Sequence, residues 1–271
     1  MTLLVAWTGI DSRSPASVYI ATDSRVSWGE EGHFDHSNKT FALRQFPAIL
    51  GYCGDSLSSQ MLISQAISVV EAIPDYKGRK LEDLVDILIR LIVRNYNQYP
   101  VKFSSGSFTV VVCGKVATDS AGNFECFCIN SKFKEVTKSK LAFPRVSGPI
   151  IVAGSGKTEF ESQYAKHQAI ENPNKSTSRD VFHAFCQTIK QSKKYSVGPI
   201  PQIVTVIRKP NTGGSHCGVV IDEQRYISGQ LIDRDIAPCG LQWFNDNFEI
   251  TNPHTKQREL DAQVQPPFRC K

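Results

Sequence analysis

The period of the apolar residues changes repeatedly along this chain, and that alternation limits its fold more than any other feature. Residues 2–8 (TLLVAWT) and 17–23 (SVYIATD) are apolar, β-branched runs around the turn-rich GIDSRSP, which predicts a hairpin. Residues 38–44 (NKTFALR) alternate, and 47–53 (PAILGYC) follow after a short break as a second strand pair. The spacing then becomes helical. Leu57, Met61, Ile63, Ile67, Val70 and Ile73 predict a helix over 57–73 that stops before Pro74. Leu81, Leu84, Val85, Leu88, Leu91 and Ile92 predict another over 80–98, closed by Pro100. Strands return at 107–117, 122–130 and 149–154. Thr158 with Glu161, and Thr177 with Asp180, have the spacing of helix-capping boxes. The first precedes Phe160, Tyr164 and Ile170, the second Val181, Phe182, Phe185 and Ile189. Strands at 202–208, 215–221 and 225–231 follow, and residues from about 235 read as irregular.

Strand blocks separated by helices that arrive in pairs predict an α+β fold, a four-layer αββα sandwich of two antiparallel sheets. No linker or composition break precedes 235, so 2–234 reads as one domain and 235–271 as a C-terminal irregular extension. A domain of this size buries roughly three-quarters of its unfolded surface. With 41% hydrophobic and 21% charged residues, the chain is not of a disordered class. No apolar run approaches the ~18 residues of a membrane span. The opening MTLLVAW lacks a basic region and a cleavage site, so a cytoplasmic location is expected. The net charge of +5 is spread along the chain and leaves no nucleic-acid footprint. Eight cysteines without a CxxC spacing read as reduced, mostly buried thiols rather than a zinc site, and no metal or cofactor is implied.

The chemistry begins at the start of the chain. A small residue, Thr2, follows Met1, so methionine removal would leave threonine with a free α-amine. That amine has a pKa of ~7.7–8.0 and can take the proton of its own hydroxyl, so one residue supplies nucleophile and base. Asp23-Ser24-Arg25 closes the second strand, and Lys39 lies sixteen residues beyond Asp23. Gly51-Tyr52-Cys53-Gly54-Asp55 closes the fourth strand ahead of an apolar helix, and Gly154-Ser155-Gly156 closes a later strand ahead of another. In this order the chain resembles proteasome β-subunits and the bacterial proteasome-like peptidase that works with a ring ATPase, over about residues 2–208.

The resemblance implies an N-terminal-nucleophile hydrolase fold and a threonine protease. Thr2 is similar to the nucleophile and Lys39 to the lysine that lowers the pKa of the threonine pair. Asp23 resembles the carboxylate that holds this lysine, an arrangement that makes sense because a buried ammonium without a partner loses its charge. Gly54 resembles the glycine whose N–H supports the oxyanion. Ser155 resembles the serine that bonds the terminal amine, with Ser196 beside it. The pocket next to the nucleophile would fall on Val26, Ser37 and Cys53, or on Tyr52 if the register slips by one. Neutral, apolar lining favours cleavage after hydrophobic residues. A peptide or unfolded-protein substrate, a homo-oligomeric ring and a separate ATP-driven unfoldase are implied as partners.

The chain departs from the pattern in places. Leu3 stands where a second threonine is usual, and Lys193 stands where a supporting Asp precedes the Ser-Gly turn. The loop Gly9–Pro15 and the stretch beyond 208 are long. Gly154-Ser155-Gly156-Lys157-Thr158 lacks the first glycine of a phosphate-binding loop, with Ile151 in its place. His33 and His36 lie in a loop without metal spacing. His216 and Cys217 are adjacent strand residues and face opposite sides. Two other functions remain open: a catalytically silent ring subunit, and an amidase that uses the same N-terminal chemistry on a small substrate.

Overall fold

The computed structural model describes residues 2–73, 79–100, 107–115, 123–132, 135–169, 175–209 and 213–262. Its first half contains β1 (Leu3–Ile10), β2 (Pro15–Asp23), β3 (Val26–Ser27), β4 (His33–Phe34), β5 (Thr40–Ala42) and β6 (Ala48–Gly54). Helices α1 (Ser56–Glu71) and α2 (Leu81–Tyr96) follow, then β7 (Ser107–Lys115), β8 (Phe124–Lys132), β9 (Glu135–Lys140) and β10 (Gly148–Gly154). Helices α3 (Lys157–Ala169) and α4 (Ser178–Gln191) precede β11 (Pro201–Ile207), β12 (Ser215–Ile221), β13 (Gln224–Ile227), β14 (Gln230–Leu231) and β15 (Gln242–Asn245).

One sheet runs β10-β1-β2-β11-β12-β13-β14, with β15 added beside β12; the other runs β5-β6-β7-β8-β9. All their pairings are antiparallel except β12 with β15, which is parallel. Strand β1 shows why its sequence is apolar throughout. Leu3, Val5 and Trp7 pack with Phe160, Phe182 and Phe185 under α3 and α4. Leu4 and Ala6 face Ile49, Val111 and Cys113 of the other sheet. A strand covered on both faces has no polar side, so its run does not alternate. The second sheet buries Leu50, Tyr52 and Val112 against Leu62, Leu84 and Leu88 of α1 and α2. The result is the expected αββα sandwich.

Several details differ from the sequence reading. Strand β9 (EVTKSK) was not expected, because this edge strand is almost wholly exposed and carries no apolar face. The stretch 225–231 is two strands, broken at Ser228-Gly229 by a two-residue turn. The region from 235 is not wholly irregular: β15 pairs with β12 and buries Trp243 and Phe244. Thr158 lies inside α3 rather than ahead of it, whereas the Thr177 hydroxyl accepts the Asp180 N–H as an N-cap. Residues 116, 117 and 122 of the expected strands, together with Pro74, Ile170 and Cys270, lie outside the described residues. No described helix is long and apolar enough to cross a membrane.

Candidate active site

The site forms where the start of β1 meets the end of β2 and the approach to β5. Thr2 and Leu3 lie against β10, and the pairing of Leu3 with Gly154 brings Gly154-Ser155-Gly156 beside them. Gly154 has φ +91°, and a Cβ there would fall 1.8 Å from the Thr2 carbonyl oxygen. Glycine is required here both for conformation and for space.

Asp23 ends β2 completely buried, with its carboxylate saturated. Oδ1 accepts the Leu3 N–H at 2.8 Å. Oδ2 accepts the N–H of Arg25 at 2.9 Å and of Gly198 at 3.0 Å. The Lys39 ammonium donates to the same oxygen at 3.2 Å, and both side chains are 0% exposed. Lys39 Nζ also donates to the Arg25 carbonyl and, at 2.7 Å, to Thr2 Oγ1. Burial pulls the Lys39 pKa below the ordinary lysine value, and the Asp23 charge acts against that pull. A buried, three-coordinated ammonium on a hydroxyl oxygen stabilises negative charge there, and its lowered pKa eases proton movement.

Ser155 and Ser196 come together from distant parts of the chain, their hydroxyls 3.0 Å apart. Lys193, at the position expected to hold a carboxylate, is exposed, and the neighbouring Lys194 ammonium donates to the Ser155 carbonyl. Gly54 ends β6 at φ +115°, its Cα face against Phe108 and the Ser107 carbonyl. Cys53 lies in the core between the sheets, with its Cβ 3.5 Å from where a Gly154 Cβ would be. Burial raises its thiol to about 12, with the Lys39 charge opposing, so it is protonated and a poor nucleophile.

A cavity of about 410 Å³ adjoins this cluster. Val26 and Asn38, the chain neighbours of Arg25 and Lys39, line it together with Ser37, Trp28, Phe34 and Leu57. Val26 and Ser37 thus meet at one cavity. Cys53 and Tyr52 do not line it, because β6 directs Cys53 between the sheets and Tyr52 toward α1 and α2. No Asp, Glu, Lys or Arg is among its described lining residues.

Two site residues escaped the sequence reading. Arg25 contributes its backbone to both Asp23 and Lys39, while its guanidinium grips Asp35. Gln202 is the larger omission. Its Oε1 accepts the Lys39 N–H at 3.0 Å, and its Nε2 donates to the carbonyls of Asp23 at 3.3 Å and Ser37 at 2.6 Å. A single amide therefore sets the spacing between the Asp23 and Lys39 segments. The available signal was a polar residue at the head of the apolar run QIVTVIR.

The sequence matches no protein-family model and no curated protein. The fold does have solved neighbours. Anbu (ancestral beta-subunit) from Yersinia bercovieri is similar at a TM-score of 0.56 and 12% identity, covering 79% of this chain and 86% of its own. An Anbu (Gly-1) mutant from Hyphomicrobium sp. strain MC1 gives 0.55 at 13% identity, over 80% and 87%. The Anbu complex from Pseudomonas aeruginosa, solved as a helical assembly, gives 0.53 at 11% identity, over 86% and 88%. The architecture is therefore the α+β, two-sheet fold that these structures share. At these identities the likeness concerns the fold.

Proposed function

We propose that this chain is a proteasome-like peptidase that hydrolyses peptide bonds through Thr2, once everything ahead of Thr2 has been removed. The observation that carries the reading is the 2.7 Å hydrogen bond from Lys39 Nζ to Thr2 Oγ1, with Lys39 held on buried Asp23. In this reading Thr2 Oγ attacks the scissile carbonyl, and its proton passes to the Thr2 amine. Lys39 stabilises the developing charge on Oγ, and the Gly54 N–H supports the oxyanion. The amine proton goes to the leaving amine, an ester forms at Thr2, and water cleaves it. The paired hydroxyls of Ser155 and Ser196 would orient the terminal amine. The neutral cavity beside Val26 and Ser37 would take an apolar side chain.

Assembly into a homo-oligomer belongs to the same proposal, as does a separate unfoldase as partner and a cytoplasmic setting. Helix α2 covers its apolar stripe on its own sheet, but α1 leaves Leu57, Met61 and Val69 about half exposed. One neighbour in fold is known from a helical assembly.

A specific observation favours a second reading, a silent structural subunit. Lys193 replaces the supporting carboxylate, and Lys194 approaches Ser155 in its stead. Intact mass combined with a fluorogenic peptide panel decides between them. The expected result is a chain starting at Thr2 that cleaves fastest after apolar residues, with Thr2→Ala inactive and Thr2→Ser retaining turnover. Undiminished cleavage by Thr2→Ala, or fastest cleavage after Arg or Glu, refutes the peptidase reading as given. An assembled, correctly processed and inactive chain establishes the silent subunit.

A further inference from the structure

Beyond β11 the chain returns to the candidate site. β12, β13 and β14 form a meander joined by two-residue turns, at Asp222-Glu223 and at Ser228-Gly229. All four turn residues have positive φ: 47° and 64° in the first, 51° and 81° in the second. Such turns match the natural twist of paired strands and hold a hairpin tip in one place. The second tip rests on the site. A Cβ at Gly229 would lie 2.9 Å from the Ser24 Cβ, 3.2 Å from Gln202 Nε2 and 3.3 Å from the Ser37 carbonyl. Only a glycine allows that approach.

Two histidines secure the tip. His36 Nδ1 lies 2.8 Å from the Gly229 carbonyl, which can only accept, so this nitrogen carries the proton. His216 Nδ1 lies 3.0 Å from Ser228 Oγ. Ser228 is not glycine yet holds a left-handed conformation, so this bond offsets a local conformational cost. Ser228 and Gln230, on either side of Gly229, line the cavity opposite Val26, Trp28, Phe34 and Leu57. The first 60 residues therefore supply the cavity's apolar surfaces along with the polar His36, Ser37, Asn38 and Gln60, and the C-terminal part of the chain adds a short polar wall.

We propose that the β13–β14 hairpin is a specificity element that walls the substrate cavity, and that Gln230 sets which side chain enters it. The inference rests on the peptidase reading for the identity of the ligand, a peptide side chain that is large and apolar. The walls exclude water from the inner part of the side chain, and Ser228 and Gln230 meet its outer end. A charge at 230 changes the preferred side chain without touching Thr2, Asp23 or Lys39.

The test uses the full chain and capped tripeptide amides ending in Phe, Arg or Gly. Binding is read from Trp28 fluorescence, with Trp28→Phe as background, and kcat/KM is measured on the matching fluorogenic peptides. Gln230→Glu is expected to raise the Arg-to-Phe binding ratio by at least ~10-fold, since it adds a carboxylate to a cavity lining whose described residues hold no other charged carboxylate or ammonium. Gln230→Trp is expected to weaken the Phe peptide by at least ~10-fold and to leave the Gly peptide within about threefold, as for an overfilled pocket. Both variants change an exposed strand residue, so both should fold, as a melting curve checks. Ratios within about twofold of the parent for both folded variants, or no Phe-peptide binding by the parent, overturn the proposal. Shifted binding ratios without any hydrolysis refute the peptidase reading and uphold the hairpin. Hydrolysis with unshifted ratios does the reverse.

Discussion

Replacing Lys39 with methionine separates chemistry from folding at this site. The side chain becomes one atom shorter and apolar, and its ammonium is lost from Thr2 Oγ1, Asp23 and the Arg25 carbonyl. Groups that move or stabilise a proton in the transition state contribute ~10²–10⁴-fold, or about 2.7–5.5 kcal/mol. Stripping one partner from a buried ion pair commonly costs ~3–5 kcal/mol of stability, because the other charge is left uncompensated. Asp23 differs in that three backbone N–H groups, from Leu3, Arg25 and Gly198, still bond it. The desolvation penalty on the ammonium also disappears. We therefore expect Lys39→Met to lose at least ~10² in kcat/KM while stability changes by no more than about 2 kcal/mol. Asp23→Ala is the contrast. It orphans the buried N–H groups of Leu3 and Gly198 and the partly buried one of Arg25, at ~1–3 kcal/mol each, and should destabilise by at least ~3 kcal/mol. Urea unfolding of parent and variants, with kcat/KM on an apolar fluorogenic peptide, gives both numbers. Turnover within about threefold of the parent would refute the role of Lys39. A stability loss as large as that of Asp23→Ala would refute the account of how Asp23 is held.

The remaining predictions concern geometry and pH. Gly154→Ala places a methyl group against the Thr2 carbonyl at φ +91°, so it should abolish turnover and cost at least ~2 kcal/mol in urea unfolding; a variant as active as the parent refutes the packing. The lowered pKa of Lys39 predicts an alkaline limb in the rate profile below the ordinary lysine value of ~10.4, and a limb at or above that value refutes it. Burial raises the thiols of Cys53 and Cys217 to about 12. The folded state then keeps protons that the unfolded chain releases above ~8.5, so their contribution is complete below that pH and is lost as pH climbs toward about 12. Unfolding measured from pH 7 to 10 should show declining stability, with a shallower decline in Cys53→Ala; a flat profile refutes the linkage.

The sequence by itself determined the layer order. The switch from strand runs to helical spacing at Leu57, and back at about 107, is a local property of the chain, and it places the helices in pairs outside two sheets. The positions of Thr2, Asp23 and Lys39 were also legible, since a hydroxyl, a carboxylate and an ammonium in that order follow a recognisable pattern. Tertiary structure decided what carries no local signal. Strand β9 has no apolar face, and β15 forms where β12 offers it a partner. Gln202 reaches the site from 163 residues beyond Lys39, and Gly229 reaches His36 across 193. The side chain of Cys53 points between the sheets because β6 places it on that face, which proximity in sequence to Gly54 did not reveal. Periodicity records which face of an element is buried. It does not record which distant backbone carbonyl or amide a buried polar group meets, because that depends on the strand order and register that closing the sheets creates.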